Sequence, residues 1–86
     1  MNLKINKIPY TVYILKCSNG AYYCGVAKDL EKRLDVHRSG KGSKYVRANM
    51  PFEVVYTRIF ENKVEAMKEE ARIKNLKRKD KESLFQ

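Results

Sequence analysis

The side chains with the clearest potential for chemistry are two tyrosines, an arginine, a histidine and a glutamate. Tyr13 and Tyr23 lie in neighbouring apolar segments, whereas Glu70 lies in a helical pattern near the other end of the chain. Arg33 and His37 are four residues apart, so they share one face of a helix. Brought into one cleft, phenols, imidazole, guanidinium and carboxylate are groups that can bind a phosphate and transfer protons around it.

Glu70 is the most unusual of these residues, because it falls near the middle of the apolar face of its helix. That face contains Val64, Ala66, Met67, Ala71, Ile73 and Leu76. Burying an ionised carboxylate alone is costly, so the position predicts a partner, either Lys74 one turn later or a bound cation. Proteins commonly hold Mg²⁺ through one carboxylate together with waters and substrate phosphates.

Each of the other side chains also has a structural interpretation. Tyr13 and Tyr23 can be half-buried strand aromatics, and His37 can be a hydrogen-bonded structural histidine. Arg33 can lay its aliphatic stem over the sheet and form an ion pair with a neighbouring acid. The residue types alone leave these alternatives open.

The charge of the chain indicates a polyanionic partner. Lys and Arg number 19 against 10 Asp and Glu, which gives a formal net charge of +9. Small basic domains attract nucleic acid, the commonest polyanion. Residues 38–52 and 72–79 are basic and contain no acid. The predicted nucleic-acid contacts in these two stretches are Lys41, Lys44, Arg47 and Lys74.

Several classes of protein are excluded by length and composition. A chain of 86 residues is expected to form a single domain, with its core over about 10–84. Cys17, Cys24 and His37 are too few soft ligands for structural zinc, and the two cysteines are expected to stay reduced. No apolar run is long enough to span a membrane and the N-terminus lacks a signal-peptide core, which predicts a cytoplasmic protein. The segment SGKGSK lacks phosphate-loop spacing, so no nucleoside triphosphate site is expected.

The first elements that must position these side chains form a predicted β-hairpin. Residues 10–17 are rich in β-branched and aromatic types, and residues 21–27 are apolar again after a Ser-Asn-Gly turn. The length of the loop decides which side chains share a face. With a two-residue loop, the side chains of Tyr13 and Tyr22 lie on the same face of the sheet. A three-residue loop with left-handed Gly20, which we favour, places Tyr13 on the face of Tyr23 and Gly25.

The remaining elements follow from caps and periodicity. Asp29 is the predicted N-cap of an amphipathic helix of about ten residues that ends at Gly40 and directs Arg33 and His37 inward. Residues 39–51 are a connection with at most one helical turn. Residues 52–60 alternate cleanly and form the third strand, and Asn62 begins the last long helix. A charged end follows, after which Leu84 and Phe85 are expected to fold back.

These residues, in this order, resemble the GIY-YIG nuclease domain, and in particular its small stand-alone bacterial members. The segments that carry the resemblance are Thr11-Val12-Tyr13, Tyr23-Cys24-Gly25, LEKRLDVH with Arg33 and His37, and EEARIK with Glu70. Together they cover nearly the whole chain, from about residue 10 to residue 84. The resemblance implies an α+β fold in β-β-α-β-α order, a three-stranded antiparallel sheet flanked by helices.

The resemblance also implies a metal-dependent endonuclease or nickase that hydrolyses DNA. Glu70 would bind Mg²⁺ or Mn²⁺, Arg33 would hold the scissile phosphate, and Tyr23 or Tyr13, assisted by His37, would activate or position water. An unperturbed tyrosine has a pKa near about 10, so a phenolate base would need the metal or the arginine to stabilise it. A domain this small has no room to select a target, so a separate targeting protein is an expected partner.

The sequence departs from the family pattern at four positions. The first signature has Thr11-Val12 for Gly-Ile and the second has Cys24 for Ile, changes that affect packing more than chemistry. Val26 follows the signature glycine where some branches carry lysine. The rival hypothesis is therefore a catalytically weak or inactive nucleic-acid-binding module on the same fold. A third is a small interaction protein whose charge serves only solubility.

Overall fold

The computed structural model describes residues 8–86 and shows an α+β fold. A three-stranded antiparallel sheet has the order β2-β1-β3, with β1 at Tyr10–Cys17, β2 at Tyr22–Ala27 and β3 at Phe52–Phe60. The predicted sheet is confirmed, and the bounds of β1 and β3 are those expected from the sequence. The N-terminal stretch on which the signal-peptide argument rested lies largely outside the described residues.

The hairpin between β1 and β2 has the three-residue loop that we favoured. The amide of Cys17 donates to the carbonyl of Ala21 at 2.8 Å, which leaves residues 18–20 as the loop. Gly20 has φ +86°, a left-handed conformation that glycine adopts without a steric penalty. Tyr13 is consequently paired with Gly25 across the two strands.

Two helices lie between β2 and β3. The first, α1 at Leu30–Arg38, is capped by Asp29, whose side chain accepts from the amide of Lys32, and it is followed by Gly40 at φ +81°. The second, α2 at Lys44–Ala48, is capped by Ser43 and buries Val46. This short helix is the single turn allowed for in the connection.

Two further helices follow β3. Asn62 caps α3 at Lys63–Lys74, as predicted, and α4 at Arg78–Glu82 forms within the charged end. The broad apolar face expected of α3 is wrong in its extent, because Val64, Met67 and Ala71 are exposed while Ala66 and Ile73 are buried. One physical reason is that, within residues 8–86, no element packs over Met67, which borders an open cleft beside Lys63. The chain after α4 folds back, as expected, and covers another part of the same sheet face. The returning side chains are Leu84 and Phe85.

The sheet has a buried cluster on each face. One cluster, toward α1 and α2, consists of Tyr13, Leu15, Cys17, Ala27, Leu34 and Val46. The other, toward α3, consists of Val12, Ile14, Cys24, Ala66 and Ile73. Cys17 and Cys24 are free thiols that belong to different clusters. None of the helices in residues 8–86 has the length and apolar character needed to cross a membrane.

Candidate functional site

An open cleft of about 400 Å³ brings together four of the five side chains singled out by the sequence. Tyr13 and Tyr23 reach it from the hairpin, Arg33 reaches it from α1 and Glu70 reaches it from α3. Because α1 and α3 pack on opposite faces of the sheet, the cleft lies where both helices flank the β1–β2 hairpin. The convergence predicted from the sequence is present in the structure.

Gly25 allows the Tyr13 ring to lie directly against the backbone of β2. A Cβ atom at position 25 would lie 2.5 Å from the Tyr13 hydroxyl oxygen and 2.6 Å from Cζ, closer than real side chains approach. The Tyr13 residue is fully buried, whereas Tyr23 on the same face is half-buried. Tyr23 is therefore the tyrosine better placed to touch a molecule in the cleft.

His37 lies behind the cleft and forms no part of its lining. Its residue is 2% exposed, and its Nε2 lies 2.9 Å from the Tyr13 hydroxyl oxygen in a hydrogen bond. The imidazole also packs edge-on against the rings of Tyr23 and Phe52, at 5.4 and 6.0 Å between centroids. Its Nδ1 has no hydrogen-bond partner among residues 8–86. A Cβ at Gly42 would lie 2.8 Å from that nitrogen, so the loop before α2 closes over the ring.

Burial determines the protonation states of this Tyr13–His37 pair. Loss of solvent raises the pKa of Tyr13 to about 12, although the nearby Arg33 guanidinium acts in the opposite direction. Burial, and secondarily the charge of Arg33, lowers the pKa of His37. Near neutral pH the phenol is protonated and the imidazole is neutral. The pair consequently holds the cleft in shape and supplies no ready-made phenolate.

Arg33 is exposed, and the expectation that it points inward is correct only for its guanidinium end. Nη1 donates to the carbonyl of Val26 at 3.2 Å, which ties the head group to the end of β2 at the cleft. The guanidinium also hydrogen-bonds the Tyr13 phenol, which partly offsets the rise in the pKa of that group. A guanidinium has five N–H donors in a planar fork, so others can bind the oxygens of a phosphate. The exposure of the residue is an advantage for this role.

Glu70 has the partner that its position predicted. Its Oε2 lies 3.2 Å from Nζ of Lys74, and 21% of its side chain remains exposed, toward the cleft. Residues 8–86 contain no group of three or more His, Cys, Asp and Glu side chains that could hold a metal. A single accessible carboxylate fits Mg²⁺, which is often held by one carboxylate while water and phosphate complete the octahedron.

The two basic stretches, equivalent in the sequence, differ in the structure. In the second stretch, Arg72 donates twice to Glu69, which lowers the pKa of that carboxyl, and Lys74 pairs with Glu70. Arg78 pairs with Glu82, which also accepts from the Tyr22 hydroxyl and fixes α4 to β2. The first stretch is different, since Lys41, Lys44 and Arg47 are exposed and have no acidic partner among the described residues.

Two lysines in the cleft were not identified from the sequence. Lys28 follows β2 directly and Lys63 begins α3, and both line the cleft with Glu70. Neither belongs to the two basic stretches described above or to an apolar periodicity, so the signal that could have indicated them is their place at the end of an element. They bring positive charge to the cleft beside Val26, the position where some branches of the GIY-YIG family carry lysine.

Comparison with known proteins agrees with this geometry. Residues 9–83 match the model of the GIY-YIG catalytic domain. A UPF0213 protein of Oceanobacillus iheyensis is 51% identical over 75 residues, which are 87% of each chain. One of Halobacterium salinarum is 45% identical over 86% of this chain and 96% of its own. None of these names states an activity.

Two similar structures were solved by solution NMR. The UPF0213 protein of Bacillus halodurans is 45% identical, with a TM-score of 0.59 over 88% of this chain and 81% of that one. A protein of E. faecalis is 41% identical, with a TM-score of 0.64 over 91% and 83% of the two chains. The same sheet and flanking helices are thus found in experimentally determined relatives.

Proposed function

Because the chain belongs to the GIY-YIG catalytic domain family, we propose that it is a divalent-metal-dependent DNA endonuclease or nickase. The family gives a nuclease-like fold and implies a nucleic-acid substrate. The observation that carries the finer proposal is the open cleft into which Tyr23, Arg33 and Glu70 all reach. These three side chains supply a hydroxyl, a cationic fork and a carboxylate from three separate elements.

Each side chain has a role in hydrolysis that follows from its place in the cleft. Arg33 binds the scissile phosphate and stabilises the charge that develops on its oxygens. Glu70 holds a Mg²⁺ or Mn²⁺ ion, which when bound polarises the phosphate and steadies the departing oxygen. Tyr23, half-buried at the cleft, hydrogen-bonds and orients the attacking water.

Tyr13 and His37 act as positioning residues in this proposal. Tyr13 is fully buried, and its raised pKa keeps the proton on the phenol near neutral pH. His37 holds that hydroxyl and packs against the Tyr23 ring. Their contribution is to fix Tyr23 and the cleft wall, because small displacements of reacting groups carry large losses in rate.

The remaining positive charges supply affinity for the nucleic-acid backbone. Lys28 and Lys63 line the cleft, and Lys41, Lys44 and Arg47 lie unpaired on the surface beyond it. Contacts of this type bind phosphates without reading base sequence. Lys74 is a weaker candidate for such a contact, because its ammonium group is paired with Glu70.

The test is nicking of supercoiled plasmid by purified protein in the presence of Mg²⁺ or Mn²⁺. Glu70→Gln keeps the shape of the side chain and removes its charge, and we expect a loss of about 100-fold or more, as for removal of one electrostatic group from an active site. Glu65→Gln makes the same chemical change in α3 at an exposed residue outside the cleft lining, and should retain wild-type nicking. Equal nicking by the two variants would refute the enzyme proposal.

A second candidate function is a nucleic-acid-binding module with weak or no turnover. The observation that favours it is apolar Val26 in the cleft, beside a Tyr13 that burial keeps protonated. It predicts salt-sensitive binding to DNA or RNA that persists in Glu70→Gln, with no metal-dependent cleavage by the wild type. Following the NMR signal of the residue 70 amide during Mg²⁺ titration separates the two, because only the nuclease needs metal there.

A further inference from the structure

Tyr45 is an exposed aromatic residue on α2 to which none of the roles above applies. It is 46% exposed, because α2 buries Val46 and turns the neighbouring Tyr45 ring outward. A single exposed aromatic residue is by itself unremarkable on a protein surface. Tyr45 differs from such a residue in its hydrogen bond to Asn19 and in the exposed cations that lie near it in the sequence.

The Tyr45 hydroxyl is bonded to the hairpin loop, and the backbone around Tyr45 is bonded to the rest of α2 and to the same loop. Nδ2 of Asn19 donates to the Tyr45 hydroxyl at 3.0 Å. The carbonyl of Tyr45 accepts from Nδ2 of Asn49 at 2.9 Å, and the carbonyl of Asn49 accepts from the amide of Ser18 at 2.9 Å. The ring is therefore oriented before any ligand arrives, which lowers the entropic cost of binding on its face.

Tyr45 lies close in the sequence to three exposed cations, in a stretch whose other cation, Arg38, pairs with Asp35. Lys44 precedes it, and Lys41 and Arg47 lie within four residues of it, all exposed and without an acidic partner in the described part of the chain. By contrast, Arg72, Arg78 and Lys74 in the C-terminal basic stretch each pair with a glutamate. The surface of α2 thus combines a fixed aromatic face with free cations.

The α2 surface is connected to the cleft through His37. Gly42, just before α2, lies against the His37 ring, and that ring packs on Tyr23 in the cleft. A strand that follows the cations of α2 toward the cleft would pass over this loop. Tyr45 contacts the hairpin loop through Asn19, whereas Val26 and Lys28 line the cleft at the other end of β2. A strand bound at both places would therefore run along β2.

We propose that Tyr45 stacks on an unpaired base of the nucleic-acid substrate while Lys44, the residue before it, contacts an adjacent phosphate. This inference rests on the proposed function for its nucleic-acid ligand, and it specifies the class of substrate. Bases within a duplex already stack on one another, whereas single-stranded bases offer free faces to aromatic side chains. The favoured substrate is therefore a single strand, or a duplex with an unpaired flap or end.

The experiment measures binding by fluorescence anisotropy of labelled oligonucleotides in EDTA, so that cleavage plays no part. Tyr45→Ala should weaken binding to a single strand by about 5- to 140-fold, the range found for loss of one base-aromatic stack. Binding to a fully paired, blunt-ended duplex without a loop should change less than twofold. Deoxy and ribo versions of the single strand show which nucleic acid is preferred.

Two control variants separate stacking from charge and from folding. Tyr45→Phe keeps the ring and loses only the hydroxyl bonded to Asn19, so it should retain most of the single-strand affinity. Lys44→Gln should weaken single-strand and duplex binding alike. The slope of the logarithm of affinity against the logarithm of salt concentration should become shallower by about 1, the value for one lost phosphate contact. In a single strand that carries the fluorescent base 2-aminopurine, stacking on Tyr45 of the wild type should quench the fluorescence. The same strand saturated with Tyr45→Ala should not show this quenching.

The inference is overturned if Tyr45→Ala, folded by circular dichroism, binds the single strand as the wild type does. It is also overturned if single-strand and duplex affinities fall equally. Failure of the proposed function gives a different result. In that case the wild type does not nick plasmid, but it still binds single strands more tightly than duplex and loses this preference in Tyr45→Ala. Conversely, if nicking depends on Glu70 but Tyr45→Ala does not change single-strand binding, the proposed nuclease activity stands and the proposed stacking is refuted.

Discussion

Replacing Gly25 by alanine should disrupt the site through steric overlap alone. The new Cβ would lie 2.5 Å from the Tyr13 hydroxyl oxygen, 2.6 Å from Cζ and 3.0 Å from Cε1. The Tyr13 ring is fully buried and hydrogen-bonded to His37, so it could relieve the overlap only by shifting toward the cleft and disturbing this hydrogen bond. Overpacking of this kind costs about 1–3 kcal/mol. For a domain of this size, about 2 kcal/mol lowers the Tm by about 8–16 °C.

The matched control is Gly20→Ala in the hairpin loop. A Cβ at Gly20 meets no atom within 4 Å, but the residue has φ +86°. The left-handed conformation costs an L-residue about 1–2 kcal/mol, so this variant also loses stability. The two variants therefore differ in mechanism more than in Tm. Only Gly25→Ala should shift the NMR signals of the His37 imidazole and reduce nicking.

A double-mutant cycle makes the steric argument sharper. Tyr13→Phe removes the atom nearest to the new Cβ and leaves the contact with Cζ. The free-energy loss of Tyr13→Phe combined with Gly25→Ala should accordingly be smaller than the sum of the two single losses. Strict additivity, or a Gly25→Ala protein with wild-type Tm and unshifted His37 signals, would refute the reasoning.

Three other predictions concern pH, packing and metal binding. Burial lowers the pKa of His37, so as the pH falls below about 6.5 the unfolded chain takes up a proton that the folded chain does not. The free energy of unfolding should therefore be highest above about pH 6.5 and decrease below it by up to about 1.4 kcal/mol per pH unit. In urea titrations His37→Asn should flatten this dependence, and an unchanged slope would contradict it. Fully buried Ile73→Ala should cost about 2–5 kcal/mol, whereas 72%-exposed Ile59→Ala should cost under about 0.5 kcal/mol by the same assay. Lys74→Gln should tighten Mn²⁺ binding by up to about fivefold, since it removes a partly exposed ion pair from Glu70. Paramagnetic broadening of NMR signals measures this affinity, and weaker binding would show that the lysine does not compete.

The hairpin shows how far local sequence determines a site. Alternation along β1 and β2 leaves only the length of the loop to settle the register, and Gly20 at a left-handed position selects three residues. That choice puts Tyr13 opposite Gly25 and on the face of Tyr23. The caps Asp29 and Asn62 likewise gave the starts of the two longer helices, because capping involves residues only three apart.

The helix wheel of α3 shows where local sequence is insufficient. Periodicity identified an apolar face, but Val64 and Met67 within it are exposed. How much of a helix is buried depends on what packs against it, and in the described part of the chain Met67 borders an open cleft instead of another element. A pattern within one element contains no information about which of its apolar side chains the rest of the chain will cover.

The sequence by itself determined the order of the elements, reduced the register of the hairpin to two alternatives and supplied the residue types of the cleft. These depend on contacts between near neighbours, or on a family pattern that runs along the chain. Only the tertiary structure decided that Tyr13 is buried and Tyr23 accessible, since burial is a property of all the packed elements together. It also decided which cations are free, because Arg72 and Arg78 find glutamates in the folded chain while Lys44 and Arg47 face solvent.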